Sequence, residues 1–172
     1  DVIPSGNMLL SKNPDMFLPG YWPSYFCRAS GCDVWDIDGN QYTDMSMAVG
    51  TNLLGYAHER VDSAVRNVVN DSNMSVLNCP EEVQLAERLV DLHSWADMAK
   101  FTRSGGEANA VAIRIARAAT GKDNVAICGY HGWHDWYLST NLNDVNGLDS
   151  HLLPGLEPLG VPRALSGITI PF

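Results

Sequence analysis

The sequence predicts an α/β protein with a mostly parallel sheet, preceded by an irregular arm and a small hairpin. An apolar segment, a glycine turn, an alanine-rich helical stretch and a second apolar segment follow one another within about thirty residues, which is typical of a right-handed crossover between parallel strands. Two amphipathic helical stretches come before this unit, and a stretch of alternating apolar residues comes before them.

The charge balance excludes a broad nucleic-acid surface. The 172 residues include 20 acidic and 11 basic side chains, and the formal net charge is −9 at pH 7. No basic stripe is available to release phosphate counterions. No run approaches the roughly 18 apolar residues that span a bilayer, and the first residues lack the pattern of a signal peptide. We therefore expect neither nucleic acid nor membrane as a partner.

The cysteines favour a reducing compartment. The spacing of Cys27, Cys32, Cys79 and Cys128 matches no zinc pattern, and a chain of this length needs no disulfides for stability. The sequence predicts free thiols in a cytoplasmic protein.

Residues 1–57 are predicted to form an N-terminal arm and hairpin segment. Prolines and glycines interrupt the first twenty residues, which indicates irregular structure. Residues 34–37 alternate with period two before a turn signal at 38–40, so a hairpin or short meander is expected between Tyr25 and Tyr42. Residues 45–55 are small and apolar, with breaks at Gly50 and Gly55.

Residues 58–172 are predicted to be the first part of a larger domain. Residues 58–70 show one apolar stripe at helical spacing. A second helix begins at Pro80, because proline suits the first helical position and the two acids that follow favour the positive end of the helix dipole. Its predicted buried face consists of Val83, Ala86, Leu89 and Val90.

The next stretch combines strands with a glycine turn. A strand is predicted at 98–103, a turn at 104–106, a helix at 107–120 that ends at Gly121, and a second strand at 124–128. The remainder reads mostly as loop and ends in a strand candidate at 167–172.

Ser104, Gly105 and Gly106 form a candidate anion site. The first amides of a helix have no intrahelical acceptor, and the helix dipole favours a negative charge there. Two glycines allow the main chain to approach a phosphate, and the Ser104 hydroxyl adds a donor. A tight turn with a serine cap and no ligand stays open as the alternative.

The aromatic loop, residues 129–137, is the second candidate. It follows the next predicted strand, and ligands in open parallel sheets lie beyond the carboxyl ends of the strands. We therefore expect this loop beside the glycine turn, where Tyr130 would stack on a flat ring. A packed loop without a ligand is the alternative. His131, His134 and Asp135 are too loosely spaced to predict a metal site.

Three segments, FTRSGGEA at 101–108, AIRIARA at 112–118 and GYHG at 129–132, resemble class III aminotransferases. The segments VWDIDG at 34–39, LLGYAH at 53–58 and EVQLAERL at 82–89 support the resemblance. These are fold-type-I enzymes that depend on pyridoxal 5'-phosphate, and the likeness is greatest to the branch of the glutamate-1-semialdehyde 2,1-aminomutases. It runs from about Pro4 to the end.

The resemblance implies a fold, a cofactor and roles. Residues 58–172 would be the first, incomplete part of the family's three-layer large domain. Ser104, Gly105 and Gly106 would hold the cofactor phosphate, and Tyr130 would stack on the pyridine ring with His131 beside it. The intact enzyme would be a homodimer that transfers an amino group from a small amine or amino acid. Members of the family that this chain resembles often have threonine where this chain has Gly106. The missing hydroxyl would be one phosphate donor fewer, although the backbone amides would remain.

The family's chemistry needs a lysine that holds the cofactor. Lys12, Lys100 and Lys122 lack the family lysine's sequence context, so that residue is expected beyond residue 172, and no catalytic residue is assigned in this chain. Together with the non-methionine first residue and the apolar end, this predicts the N-terminal portion of an aminotransferase, inactive alone. Two alternatives stay open, a glutamate-1-semialdehyde 2,1-aminomutase of tetrapyrrole biosynthesis and a non-catalytic domain that binds a phosphorylated ligand.

Overall fold

The computed structural model describes residues 2–71, 74–144, 146–151 and 157–172. The chain divides into two compact units, Asp1–Asn78 and Cys79–Phe172, which are described separately. The predicted domain division at residue 57 stays a prediction.

The first unit contains the expected meander. Strands β1 (Phe26–Ser30), β2 (Asp33–Asp36) and β3 (Gln41–Thr43) form an antiparallel sheet in the order β1-β2-β3. Short 3-10 turns at Pro4–Gly6, Leu10–Lys12 and Pro14–Met16 make up the irregular arm before it. The hairpin and the arm are therefore confirmed.

The carboxylate of Asp36 organises the turn between β2 and β3. Its Oδ1 accepts hydrogen bonds from the amides of Asp38 at 2.9 Å and Asn40 at 2.8 Å. Its Oδ2 accepts from Asn40 Nδ2 and from the Tyr42 hydroxyl, both at 3.0 Å. The Asn40 side chain, first among these donors, lowers the pKa of Asp36. The turn is thus fixed by a charged acceptor.

A left-handed turn follows the sheet. Helix α1 (Met47–Gly50) is a single turn in which Met47, Ala48 and Val49 have φ of 45°, 52° and 59°. The left-handed conformation costs L-residues roughly 1–2 kcal/mol each.

Helix α2 (Glu59–Asp71) forms as the apolar stripe predicts, but its valines remain about half exposed.

The second unit contains two longer helices with clear end signals. Helix α3 (Pro80–Leu92) has its proline in the first turn. Helix α4 (Gly105–Thr120) has Ser104 as its N-cap and Gly121, at φ 67°, as its left-handed C-cap. The Gly121 amide donates to the Arg117 carbonyl at 2.8 Å, which satisfies one of the last free acceptors of the helix.

Strands β4 (Val125–Ile127) and β5 (Thr169–Pro171) pair in parallel, which confirms both strand candidates. The buried core of this unit lies beside β4, where Ile127 packs with Tyr137 and Leu148. Helix α5 (Asp135–Leu138) supplies Tyr137, and 3-10 turns at Ser139–Leu142, Asp149–His151 and Arg163–Leu165 follow. The aromatic loop therefore starts at the end of a core strand.

Two expectations are wrong. Residues 98–103 pair with no strand in the part of the chain that the structure describes, so the expected strand is absent and the parallel partner of β4 is β5. The predicted buried face of α3 is not buried, since Val83 is 59% exposed. Both segments are apolar enough for what the sequence predicts. Within the described ranges, residues 98–103 have no neighbouring strand to pair with, and α3 has too few neighbouring elements to bury its apolar face. No helix among the described residues has the length and apolar character that crossing a bilayer requires.

Candidate functional site

The glycine turn forms the N-terminus of α4. The Ser104 hydroxyl accepts from the Glu107 amide at 3.3 Å, which makes it a capping residue. The Glu107 carboxylate reaches back and accepts from the Arg103 amide at 2.9 Å. This reciprocal pair is the usual arrangement at a helix start. The amides of Gly105 and Gly106 lie in the first turn, where the helix itself offers them no acceptor.

The aromatic loop leaves β4 through Gly129, which has φ of 89°. Tyr137 is fully buried, and its hydroxyl donates to the Gly129 carbonyl at 3.3 Å. Burial raises the pKa of Tyr137 above its ordinary value. The ring of Tyr137 makes edge contacts with Tyr130 and His131, both at 5.9 Å between centroids. One buried tyrosine therefore supports both candidate ring residues.

Tyr130 and His131 differ in what they leave accessible. The Tyr130 side chain is 45% exposed, so much of it is open to a ligand. His131 Nε2 lies 2.9 Å from the Cys128 carbonyl oxygen, which fixes the imidazole against the backbone of its own loop. Its ring also lies 6.2 Å from that of Trp136.

The structure brings the glycine turn and the aromatic loop together. The side-chain amide of Asn109, on the second turn of α4, donates to the His131 carbonyl at 3.2 Å. A β-carbon at Gly132 would lie 3.7 Å from the α-carbon of Gly106. A β-carbon at Gly106 would lie 2.7 Å from His134 Nε2, closer than real contacts permit. Glycine at 106 therefore allows this close approach, and glycine at 132 is favoured by its φ of 102°.

A groove runs along α4 beside this junction. Its lining combines basic, acidic and apolar side chains, and it includes Lys100 and His134. Among the described residues, no group of three or more histidines, cysteines or acids comes together as a metal site.

Sequence reasoning found the glycine turn and the aromatic loop but missed the residues that join them. Asn109 carries no signal that separates it from an ordinary helix residue, and Gly132 belongs to the GYHG motif without any indication that it approaches Gly106. His134 entered only as a weak metal candidate. Its contact with Gly106 spans 28 positions, and no local pattern reports such a distance.

The chain belongs to the class III aminotransferase family. The family model, described as aminotransferase class-III, matches residues 20–159. This confirms the resemblance stated from the motifs.

Two curated relatives illustrate the range of activities. A 2'-deamino-2'-hydroxyneamine transaminase of Streptomyces kanamyceticus is 42% identical over 120 residues, covering 69% of this chain and 31% of the relative. A glutamate-1-semialdehyde 2,1-aminomutase of Methanothermobacter thermautotrophicus is 33% identical over 152 residues, covering 87% of this chain and 35% of the relative. The chain thus spans about a third of the length of the relatives it matches.

The fold class is also confirmed. The FumI protein of Sphingopyxis sp. MTA144, solved in its PLP internal aldimine form, has a TM-score of 0.80 and 27% identity. The match covers 99% of this chain and 37% of that one. The chain therefore has the fold of part of a PLP-dependent transferase, and neither alternative function is favoured over an aminotransferase.

Proposed function

We propose that this chain is the N-terminal part of a PLP-dependent aminotransferase and supplies the cofactor's phosphate site and ring-stacking face. The observation that carries the proposal is the junction of two loops, the glycine turn at the start of α4 and the aromatic loop after β4, in a member of this family. A phosphorylated, flat, heteroaromatic ligand has the two features that these loops would recognise.

The residues present fit the phosphate group. The amides of Gly105 and Gly106 point out of the helix start, and the dipole of the 16-residue helix α4 favours a dianion there. The Ser104 hydroxyl accepts from Glu107, which leaves its own proton available for a phosphate oxygen. Close contact between Gly106 and the aromatic loop supports one continuous cradle.

The ring face would be supplied by Tyr130. Its half-exposed side chain is braced by the buried Tyr137, so its orientation is set before a ligand arrives. His131, fixed by the Cys128 carbonyl, would lie beside the ring. When bound, pyridoxal phosphate supplies the aldehyde carbon that takes up the amino group and the ring that withdraws electrons.

The lysine that anchors the cofactor is proposed to lie outside this chain. Lys122 follows the C-cap of α4, so the length of the helix, roughly 24 Å at 1.5 Å per residue, separates it from the glycine turn. Lys12 belongs to the first unit and Lys100 lines the groove along α4. Relatives about three times as long leave room for such a lysine elsewhere.

The remaining proposals concern the whole protein. We propose a small amine or amino acid as substrate, a homodimer as the working form, and a cytoplasmic location. The four cysteines are free and exposed, which supports a reducing compartment.

The test is cofactor uptake by the purified whole protein. We expect the visible absorbance of lysine-bound PLP, its loss on borohydride reduction, and amino transfer from an amine to a keto acid. A whole protein that never takes up PLP contradicts the proposal.

Two substitutions at the N-cap separate a phosphate site from a simple helix cap. Asparagine and aspartate cap helices as well as serine does. Ser104→Asp adds a negative charge that would repel the phosphate, so we expect at least tenfold weaker PLP binding. The matched variant Ser104→Asn keeps the cap without the charge and should bind within a few fold of wild type. Equal affinities in both variants would show that the phosphate does not bind beside Ser104.

A further inference from the structure

The contact between His134 and Gly106 carries an inference beyond the phosphate site itself. A β-carbon at position 106 would meet His134 Nε2 at 2.7 Å, Cδ2 at 3.0 Å and Cε1 at 3.4 Å. The nitrogen-bearing edge of the imidazole therefore occupies the space of a side chain at 106. A threonine at 106 and His134 in its present position exclude each other.

We propose that His134 is a side-chain hydrogen-bond donor to the cofactor phosphate. The inference rests on the proposed function, because it assigns a further residue to that same site. An imidazole N–H donates in the neutral tautomer and, when protonated, adds a positive charge that complements a phosphate.

The contact with Gly106 places Nε2 beside the first turn of α4. Gly106 is the second residue of that helix, and Nε2 lies 2.7 Å from the position that its β-carbon would take. The free amides of Gly105 and Gly106 are at that same end. An anion held by those amides would therefore have the His134 nitrogen beside it.

The backbone of His134 is fixed by the start of α5. Its carbonyl accepts from the amides of Tyr137 at 2.9 Å and Leu138 at 3.1 Å. Its own φ and ψ, −67° and 151°, are those of an N-cap. On the other side the Trp133 ring lies 4.9 Å from the imidazole, between centroids. The histidine is thus held from both sides in a half-buried position.

The alternative is a packing role, in which the imidazole only fills space above Gly106. A packing residue affects every ligand of the site alike or changes stability alone. A phosphate donor affects only ligands that carry a phosphate. Pyridoxal 5'-phosphate and pyridoxal, which lacks the phosphate, distinguish these two cases.

The experiment measures the dissociation constants of both ligands for the whole protein by absorbance titration. His134→Ala and His134→Phe remove the donor, and phenylalanine preserves ring packing. We expect PLP to bind about ten- to a hundredfold more weakly, the range for a lost hydrogen bond to a charged group. Pyridoxal affinity should stay within twofold, and the exposed-site control His93→Ala should change neither.

A double variant tests the exchange of roles directly. Gly106→Thr alone should weaken PLP binding, because the threonine meets His134. Gly106→Thr combined with His134→Ala should recover most of the affinity, because the hydroxyl then takes the place of the imidazole. This recovery also shows that loss of affinity in His134→Ala is not misfolding.

The outcomes separate the inference from the proposed function. Selective loss of PLP affinity with recovery in the double variant supports the donor role. Equal losses for both ligands, or none in any variant while wild type binds PLP, overturn the inference and leave the phosphate site standing. A wild-type protein that does not bind PLP overturns both.

Discussion

At the scale of single residues, the carboxylates of Asp36 and Asp44 in the first unit each accept hydrogen bonds from several donors. The pKa shift is larger for Asp44. Its Oδ2 accepts from the Tyr56 hydroxyl at 2.5 Å, and its Oδ1 accepts from the Ser46 amide and hydroxyl, both at 2.8 Å, and from the Met47 amide at 3.1 Å. Led by the Tyr56 bond, these donors lower the pKa of Asp44 to about 2. Asp44 thereby anchors the left-handed turn that begins at Met47.

This lowered pKa predicts an acid-sensitive contribution to stability. A carboxylate with a depressed folded-state pKa stabilises the fold above its ordinary pKa, near 3.9, and loses that contribution as the pH falls toward about 2. Asp44→Asn should therefore cost on the order of 1 kcal/mol at pH 5, a value reduced by solvent screening. The cost should shrink as the pH falls through about 2, as measured by urea unfolding.

Tyr56→Phe is the matched control, because it removes the first donor and keeps the carboxylate. This substitution should reduce the pH-dependent contribution of Asp44 to the free energy of unfolding without abolishing it. A difference between wild type and Asp44→Asn that does not change with pH would contradict this origin.

At the scale of elements, α4 shows which signals determine a helix locally. Its N-cap, Ser104, and its C-cap, Gly121, were both identified from the sequence, because capping depends on a few adjacent residues. The prediction of a strand at 98–103 is wrong because a strand depends on distant residues. A strand needs a partner to pair with, and partners come from distant parts of the chain.

The C-cap gives an element-scale prediction. Gly121 has φ of 67° and open space around the position of a β-carbon. Gly121→Ala should therefore cost about 1 kcal/mol through backbone strain alone. We expect faster hydrogen exchange of amides in the last turn of α4 and unchanged exchange near Ser104.

Gly121→Asn serves as the graded control, because asparagine tolerates the left-handed region better than alanine does. It should cost less than the alanine variant. Identical exchange in the glycine and alanine proteins would mean that the helix end adapts without strain.

At the scale of the whole molecule, little apolar surface is buried. The buried apolar side chains among the described residues are Ile127, Tyr137, Leu148 and Val161, all in the second unit. None of the described side chains of α2, α3 and α4 is buried. The motifs sufficed to predict the family, the cofactor class and the two loops, but not which helix faces are buried. Burial of a helix face depends on contacts between elements, which a local pattern does not contain.

The exposed surface predicts how the 172-residue chain behaves alone. Large exposed apolar patches and open strand edges promote association. The isolated chain should bind a hydrophobic dye strongly and elute as oligomers or aggregates in size-exclusion chromatography. The whole protein should bind the dye at least severalfold less per mole. An isolated chain that is monomeric, dye-free and cooperative in thermal unfolding would contradict this prediction.

The parallel pair of β4 and β5 also bears on how this protein is made. Strand β4 ends at Ile127 and strand β5 begins at Thr169, so about forty residues must be translated between them. At 5–20 residues per second, this takes roughly 2–8 s. During that interval β4 and the aromatic loop after it exist without the strand that pairs with β4. The aromatic loop is therefore synthesised well before β5, whose Thr169 hydroxyl donates to the Trp136 carbonyl of that loop.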